Sequence, residues 1–332
     1  MKKMNSRQRI LTALALKQPD QIPFADDVDP AVRSMVMESK LYSAPDFCRR
    51  MGFDALDYRG KEYWSPLFCK TVIKNGHEFQ LDGMIKRESD LNLMIFPDPS
   101  DAGFYDPIKR YVDKYAGEDL AIFLYMAWGM DCVISSMGFE GFSEALYDNR
   151  KLVEKVLDRY TEWNSAIVDR LNSVGIDFII TYNNIAFNSG PLFSPQVLRE
   201  IFLPKIKLVA GACKIPWVFH SDGDISPIME DLLTLGMNGI HPVDPLSMDL
   251  HKIKKQYGER VCLWGNVDLS YALTRGTTAE VEAEVIRCIK SAGPGGGYIL
   301  GSANCLPGYV KKDNVLAMAG AAKKYGKYPL KL

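Results

Sequence analysis

The stretch RKLVEKVLDRYTEWNSAIVDRLNSVGIDFIITYNN, residues 150–184, decides the fold. Leu152, Val156, Tyr160, Trp163, Ile167 and Leu171 step at three- and four-residue intervals, which lines one face of a helix. DFIITY (177–182) follows. It is apolar, rich in β-branched side chains and too short for a helix, so it reads as a buried strand closed by Asn183 and Asn184. The same unit recurs downstream. Ser194-Pro195 opens a helix, with serine as N-cap and proline at the first helical position. IPWVFH (215–220) is the next strand, and Ser226-Pro227 repeats the helix start. GMNGIHPVD (236–244), RVCLWGNVD (260–268) and GGYILGSANC (296–305) are further short apolar runs between helical stretches. DNVLAMAGAAKKYG (313–326) is a last helix. Upstream, QIPFADD, FDALDYR and LAIFLYMAWG supply strands one to three. Eight strands alternating with helices predict an α/β fold, one (β/α)8 TIM-barrel domain over residues 1–332.

One region breaks the alternation. TVIKNGHEFQLDGMIKRESDLNLMIF (71–96) contains short segments around Asn75-Gly76 and Asp82-Gly83. Such dipeptides favour tight hairpin turns, so residues 60–97 read as an antiparallel excursion between strands two and three. The glycines of GPGGG (293–297) precede a strand. A phosphate cradle follows a strand and opens a helix, so this one is a loop.

Composition narrows the function classes. The chain has 332 residues, 47% hydrophobic and 24% charged, with a net charge of −1. Its acids and bases are mixed, with no basic stripe for nucleic acid. No apolar run approaches the ~20 residues that span a bilayer. The first 20 residues, MKKMNSRQRILTALALKQPD, read as an amphipathic helix and not a signal peptide. The seven cysteines are scattered, with no CxxC pair. That pattern implies reduced thiols and a cytoplasmic location.

The late strands share a feature. Each ends in polar residues: Asn183 and Asn184; His220, Ser221, Asp222 and Asp224; His241 and Asp244; Asn266 and Asp268; Ser302, Asn304 and Cys305. In barrels of this type, catalytic groups come from the C-terminal strand ends. His220 and Asp222, two apart, point the same way on an extended chain. With Cys305 they are candidate zinc ligands that leave a fourth position open. The other reading has His220 hydrogen-bonding Asp222 or a substrate, with Cys305 a small buried apolar residue. Tyr125, Trp128 and Trp264 line a pocket or belong to the upper core. His241, before a proline, is either a site residue or a partner of loop carbonyls. Asp244 and Asp268 read as helix N-caps.

Six stretches together carry a family resemblance: SRQRILTALALKQPDQIPF, NIAFNSGPLFSP, HSDGD, GNVDLSYALTRGTTAEVEAEV, GPGGGYILGSAN and DNVLAMAGAAKKYGKYP. The chain resembles the uroporphyrinogen decarboxylase superfamily over nearly its whole length. Two chemistries are known there. Decarboxylases bind a tetrapyrrole's acetates through an arginine-bearing N-terminal segment. The matching IPFADDVDPAV offers Asp26, Asp27 and Asp29 instead, and carboxylates repel acetates. The other branch is cobamide-dependent methyltransferases. Those that methylate a thiol carry His-x-Cys and a later cysteine as zinc ligands, whereas Asp222 stands here in place of the first cysteine. An oxygen ligand suits thiol activation poorly. The HSDG and NSGPL pattern is similar to demethylase-type members, which move a methyl group from a donor such as a methoxylated aromatic to a corrinoid protein.

That resemblance implies a small-molecule methyl donor, a corrinoid brought by a carrier protein, an optional zinc ion and a chain able to form a homodimer. His220 and Asp222 are then the candidate catalytic pair, with His220, Asp222 and Cys305 the candidate zinc ligands. Tyr125, Asn184, Trp264, Asn266 and Asn304 would hold the substrate. The alternatives are a decarboxylase-like lyase and a methylcorrinoid:thiol methyltransferase.

Overall fold

A computed structural model describes residues 3–58, 64, 66–74 and 77–331. Its strands are β1 (Ala55–Tyr58), β2 (Cys69–Lys74), β3 (His77–Gly83), β4 (Ala121–Met126), β5 (Phe178–Tyr182), β6 (Ala186–Phe187), β7 (Gly190–Pro191), β8 (Trp217–His220), β9 (Gly239–His241), β10 (Cys262–Trp264) and β11 (Tyr298–Ile299). Seven of them form one parallel sheet in the order β1-β4-β5-β8-β9-β10-β11. Helices intervene, as the alternation predicts, and the longest, Arg150–Leu171, buries the six residues that define its apolar stripe.

The first predicted strand, QIPFADD, pairs only in single bridges. Ala25 N–H donates to Leu300 O, and Leu300 N–H donates to Pro23 O. On its other side Asp54 N–H donates to Phe24 O at 2.7 Å. The segment thus bonds both edges of the sheet, near β11 and near β1. Pro23 has no N–H, which removes one donor from the ladder. The two edges can share one segment only because the sheet curls. Aromatic contacts on its inner face show the same curl: Phe123 of β4 and Phe178 of β5 each lie 5.9 Å from Trp264 of β10, ring centroid to ring centroid.

Strand alternation sorts the side chains. Phe123, Phe178, Ile180, Val218, Cys262 and Trp264 belong to one inner cluster, which the first helix, Ser6–Leu14, joins through Ile10, Ala13 and Leu14. Their neighbours Ile122, Leu124, Ile179, Phe219, Ile240 and Leu263 belong to the larger cluster shared with the helices. Among the described residues no helix is long and apolar enough to cross a membrane.

The excursion is antiparallel only in part. β2 and β3 pair, with Val72 opposite Phe79. The expected turn at Asn75-Gly76 lies outside the described residues. Asp82-Gly83 is no second turn: Gly83 pairs with Cys69 at the end of β3. After it the chain becomes a 3-10 helix, Glu88–Leu93, instead of continuing as antiparallel strand. Gly83 is required for close approach, since a Cβ there would sit 2.2 Å from Gly138 N and 2.3 Å from Met137 C. Gly83→Ala should therefore lift the hairpin off the helix Met130–Met137, at a cost of about 1–3 kcal/mol. An unchanged urea midpoint would show that the two backbones do not touch.

Ser194 caps its helix as expected, accepting from Val197 N–H. Ser226 does not. Its own N–H donates to Asp224 Oδ1, so the aspartate two residues earlier caps that turn.

Candidate active site

The C-terminal strand ends bring His220, His241 and Trp264 into one row. Parallel register sets Tyr182 beside His220 and His220 beside His241. One step further, the Leu263–Ile240 pairing sets Trp264 beside His241. The rings meet accordingly. His220 and His241 centroids are 4.9 Å apart, and His241 meets Trp264 edge-on at 5.2 Å. The two Nδ1 atoms of the histidines are 2.7 Å apart, so one donates to the other. Burial pulls His220 down to about 4. It pulls His241 well below its ordinary value too, and the adjacent His220 opposes a charge there further. Both imidazoles are therefore neutral at pH 7.

Asp222 stands at the outer end of this row. Its Oδ1 lies 3.8 Å from His220 Nε2, too long for a direct hydrogen bond. Its Oδ2 accepts from Asn304 Nδ2 at 2.7 Å. Its backbone N–H donates to Asn184 Oδ1 at 3.3 Å. Burial, and after it the Asp244 carboxylate, pushes Asp222 up to about 6; Asn304 pulls the other way and Asp131 adds to the rise. Asp131, in the first turn of the helix after β4, is raised by burial to about 6 as well. Two carboxyl groups thus take up protons near pH 6, and one of them, Asp222, does so 3.8 Å from a neutral imidazole.

The expected residues divide. His220, Asp222, Asn184 and Asn304 come together. Tyr125 is half-buried and packs on the inner cluster, below the strand ends. Trp264 is buried, with its Nε1–H donating to Ala25 O at 3.0 Å, so it forms floor. Trp128 is buried in the core, tilted against Trp217. Asn266 does not join the cluster. Its Nδ2 donates to Val243 O, and Arg287 Nη2 donates to its Oδ1 at 3.1 Å. It ties two strand ends to the helix Thr278–Ala292. Gly265, with φ of +123°, redirects the chain just before it. Asp268 caps its loop by accepting from three backbone N–H groups, and Asp244 accepts from Gly223 and Leu246 N–H.

The zinc reading does not fit these residues. Among the described residues no group of three or more His, Cys, Asp or Glu side chains is arranged to hold a metal ion. One ring nitrogen of His220 already faces His241, and Cys305 does not complete a set with His220 and Asp222. None of the seven cysteines forms a disulfide.

The three N-terminal aspartates also separate. Asp29 caps the helix Pro30–Met37. Asp26 is buried and accepts from Ser302 N–H at 2.7 Å and Ser302 Oγ at 2.9 Å. Arg33, the one arginine of that helix, is held by Asp57 and by Val28 O. Burial raises Asp26 to about 8. The folded state therefore keeps a proton that the unfolded chain releases near 4. Stability linked to this group is complete below about pH 4 and is lost as the pH rises through 8. Asp26→Asn mimics the protonated acid. It should match the parent at pH 4 and exceed it by a few kcal/mol at pH 8. Equal denaturation midpoints at both pH values would contradict a protonated Asp26.

A cavity of about 720 Å³ lies elsewhere, among Arg9, Phe53 and Asp54 at the N-terminal strand ends and Leu316 and Lys323 of the last helix. None of the clustered polar residues lines it, and the chemistry belongs at the opposite end of the strands.

A curled parallel sheet with its reactive groups on successive C-terminal strand ends defines the class: an α/β enzyme scaffold. The chain belongs to the uroporphyrinogen decarboxylase (URO-D) family, whose model matches residues 83–325. It is similar to the methylcobamide:CoM methyltransferase MtaA of Methanosarcina barkeri, 21% identical over 98% of this chain and 99% of that one. Its similarity to the uroporphyrinogen decarboxylase of Chlorobaculum tepidum is 24% identity over 63% of this chain and 60% of the relative. Among solved structures, a methyltransferase from Methanosarcina mazei superposes with a TM-score of 0.77 at 19% identity, covering 97% and 99% of the two chains. At that identity the superposition speaks for the fold.

Proposed function

We propose that this chain is a methyltransferase that moves a methyl group from a small O-methyl donor, such as a methoxylated aromatic, to the cobalt of a corrinoid carried by a separate protein. The scaffold for it is a closed eight-stranded barrel, with the Pro23–Ala25 segment as the stave that joins the sheet's two edges. Asp222 carries the reading. It is a half-buried carboxyl that keeps a proton up to about pH 6, clamped by Asn304 and 3.8 Å from a neutral histidine. An alkoxide or phenolate leaves poorly, and a proton delivered in the transition state removes that difficulty. The balance is simple. The corrinoid's cobalt supplies the electron pair for the new bond to carbon. The carbon–oxygen bond breaks, and the Asp222 proton goes to the departing oxygen. His220 orients the oxygen by a hydrogen bond from or to Nε2, Asn184 and Asn304 hold Asp222, and Tyr125 and Trp264 form the apolar floor.

A second reading has one observation in its favour. The similarity to a methylcobamide:CoM methyltransferase runs the full length of both chains, which favours transfer from corrinoid to thiol. Asp222 in place of a thiol-activating cysteine favours the first direction. The decarboxylase reading needs free arginines for acetates, and Arg33 is already committed to Asp57. The test is to offer reduced corrinoid protein and O-methyl donors, and in parallel methylated corrinoid and thiols. The faster direction decides.

A further inference from the structure

His241 is the one buried polar group of the row that the proposed reaction does not use. We infer that His241 is a positioning residue: its Nδ1–H donates to His220 Nδ1 and so fixes His220 as the tautomer that carries its proton on Nε2, facing Asp222 and the substrate. The inference rests on the methyl-transfer reading only for its kinetic consequence; the tautomer stands on geometry.

Three observations carry it. The Nδ1–Nδ1 distance is 2.7 Å, which requires one donor and one acceptor. The alignment is built in by register, because His220 and His241 are direct partners on adjacent parallel strands and both close their strands. The direction follows from the far side of His220. Nε2 lies 3.8 Å from the Asp222 carboxyl oxygen; above about pH 6, where Asp222 is ionised, a proton on Nε2 is favoured beside that carboxylate, whereas a lone pair there would face oxygen lone pairs. With Nε2 protonated and the imidazole neutral, Nδ1 is the acceptor. His241 must then be the donor. Trp264, edge-on to His241, and the buried surroundings hold its ring in place. His220 thereby offers an N–H, and not a lone pair, to a substrate oxygen. A neutral donor at that position stabilises negative charge developing on the leaving oxygen without itself giving up a proton.

Two variants separate positioning from bulk. Asparagine places its amide N–H near the position of the histidine Nδ1–H; leucine fills the space and donates nothing. Nitrogen-15 spectra of the imidazoles read the tautomer directly and need no substrate. His220 should show protonated Nε2 in the parent and in His241→Asn. In His241→Leu it should become a mixture. In turnover, His241→Leu should lower kcat about 10- to 100-fold with KM changed less than threefold, because the donor acts on developing charge, and His241→Asn should recover most of it. A parent spectrum with protonated Nδ1 on His220 would overturn the inference. So would an unaltered His220 tautomer in a folded His241→Leu protein. If the spectra agree and no methyl transfer is found with any variant, the tautomer assignment survives and the reaction reading fails.

Discussion

Asp222→Asn should lower turnover of an O-methyl donor by about 10²–10⁴-fold, the usual range for loss of a positioned general acid. Asparagine keeps the shape and can still bond Asn304, so binding should change little and the loss should fall in kcat. The size should follow the leaving group. Donors that release a poor leaving group, such as a simple alcohol, should lose most, and those that release an acidic phenol least. The parent's pH profile has a definite sign. Asp222 is raised to about 6, so the protonated form prevails below that pH and is titrated away above it. kcat should be flat just below pH 6 and fall tenfold per unit above it. In Asp222→Asn that falling limb should disappear. A variant that retains the limb would move the acid to another group, and Asp131, also raised to about 6, is the first to examine.

The second large effect is on stability. Arg9→Met should cost about 3–5 kcal/mol, the usual loss when one partner of a buried ion cluster is removed. Arg9 Nε donates to Asp20 Oδ1 at 2.7 Å, Nη1 to Asp54 Oδ1 at 3.1 Å and Nη2 to Met4 O at 2.8 Å. Asp54 is buried, and burial raises it above the usual carboxylate range even with these bonds. Its other oxygen accepts from Phe24 N–H at 2.9 Å, so the cluster fastens the first helix to the segment that joins the sheet's edges. Without Arg9 the two carboxylates face each other in a poor solvent for charge. The deficit should shrink at low pH, where both take up protons. Urea unfolding at pH 7 and pH 4 checks both points, and a loss under 1 kcal/mol at pH 7 would mean that the cluster is solvated.

The alternation of helix and strand was legible because the strands are short and apolar and lie between amphipathic helices, one of them opened by the Ser194 cap. The join between the two edges was less so, since Pro23 leaves that segment with isolated bridges in place of a ladder. His220 and Asp222 were readable as a pair from their two-residue spacing. Asn304 was readable only as one more polar strand end. Asn266 was readable only as a polar strand end; Gly265 at positive φ redirects the chain there, and the Asn266 side-chain amide meets Val243 and Arg287. His241 was visible in GMNGIHPVD, but its partner depends on the register between β8 and β9, which no local pattern encodes. Asp131 had no signal: it sits in the first turn of a helix, where an aspartate is ordinary, and only the fold brings it within reach of Asp222's charge.

The most direct test is spectroscopic. Enzyme is mixed with reduced corrinoid carrier protein and a panel of methoxylated aromatics, methanol and methylamines, and the corrinoid's absorbance is followed. Methyl transfer predicts that at least one O-methyl donor converts the reduced corrinoid to its methylated form at a rate that falls above pH 6. No methylated corrinoid with any donor, together with carbon dioxide release from a carboxylated tetrapyrrole or consumption of methylated corrinoid by a thiol, would contradict it.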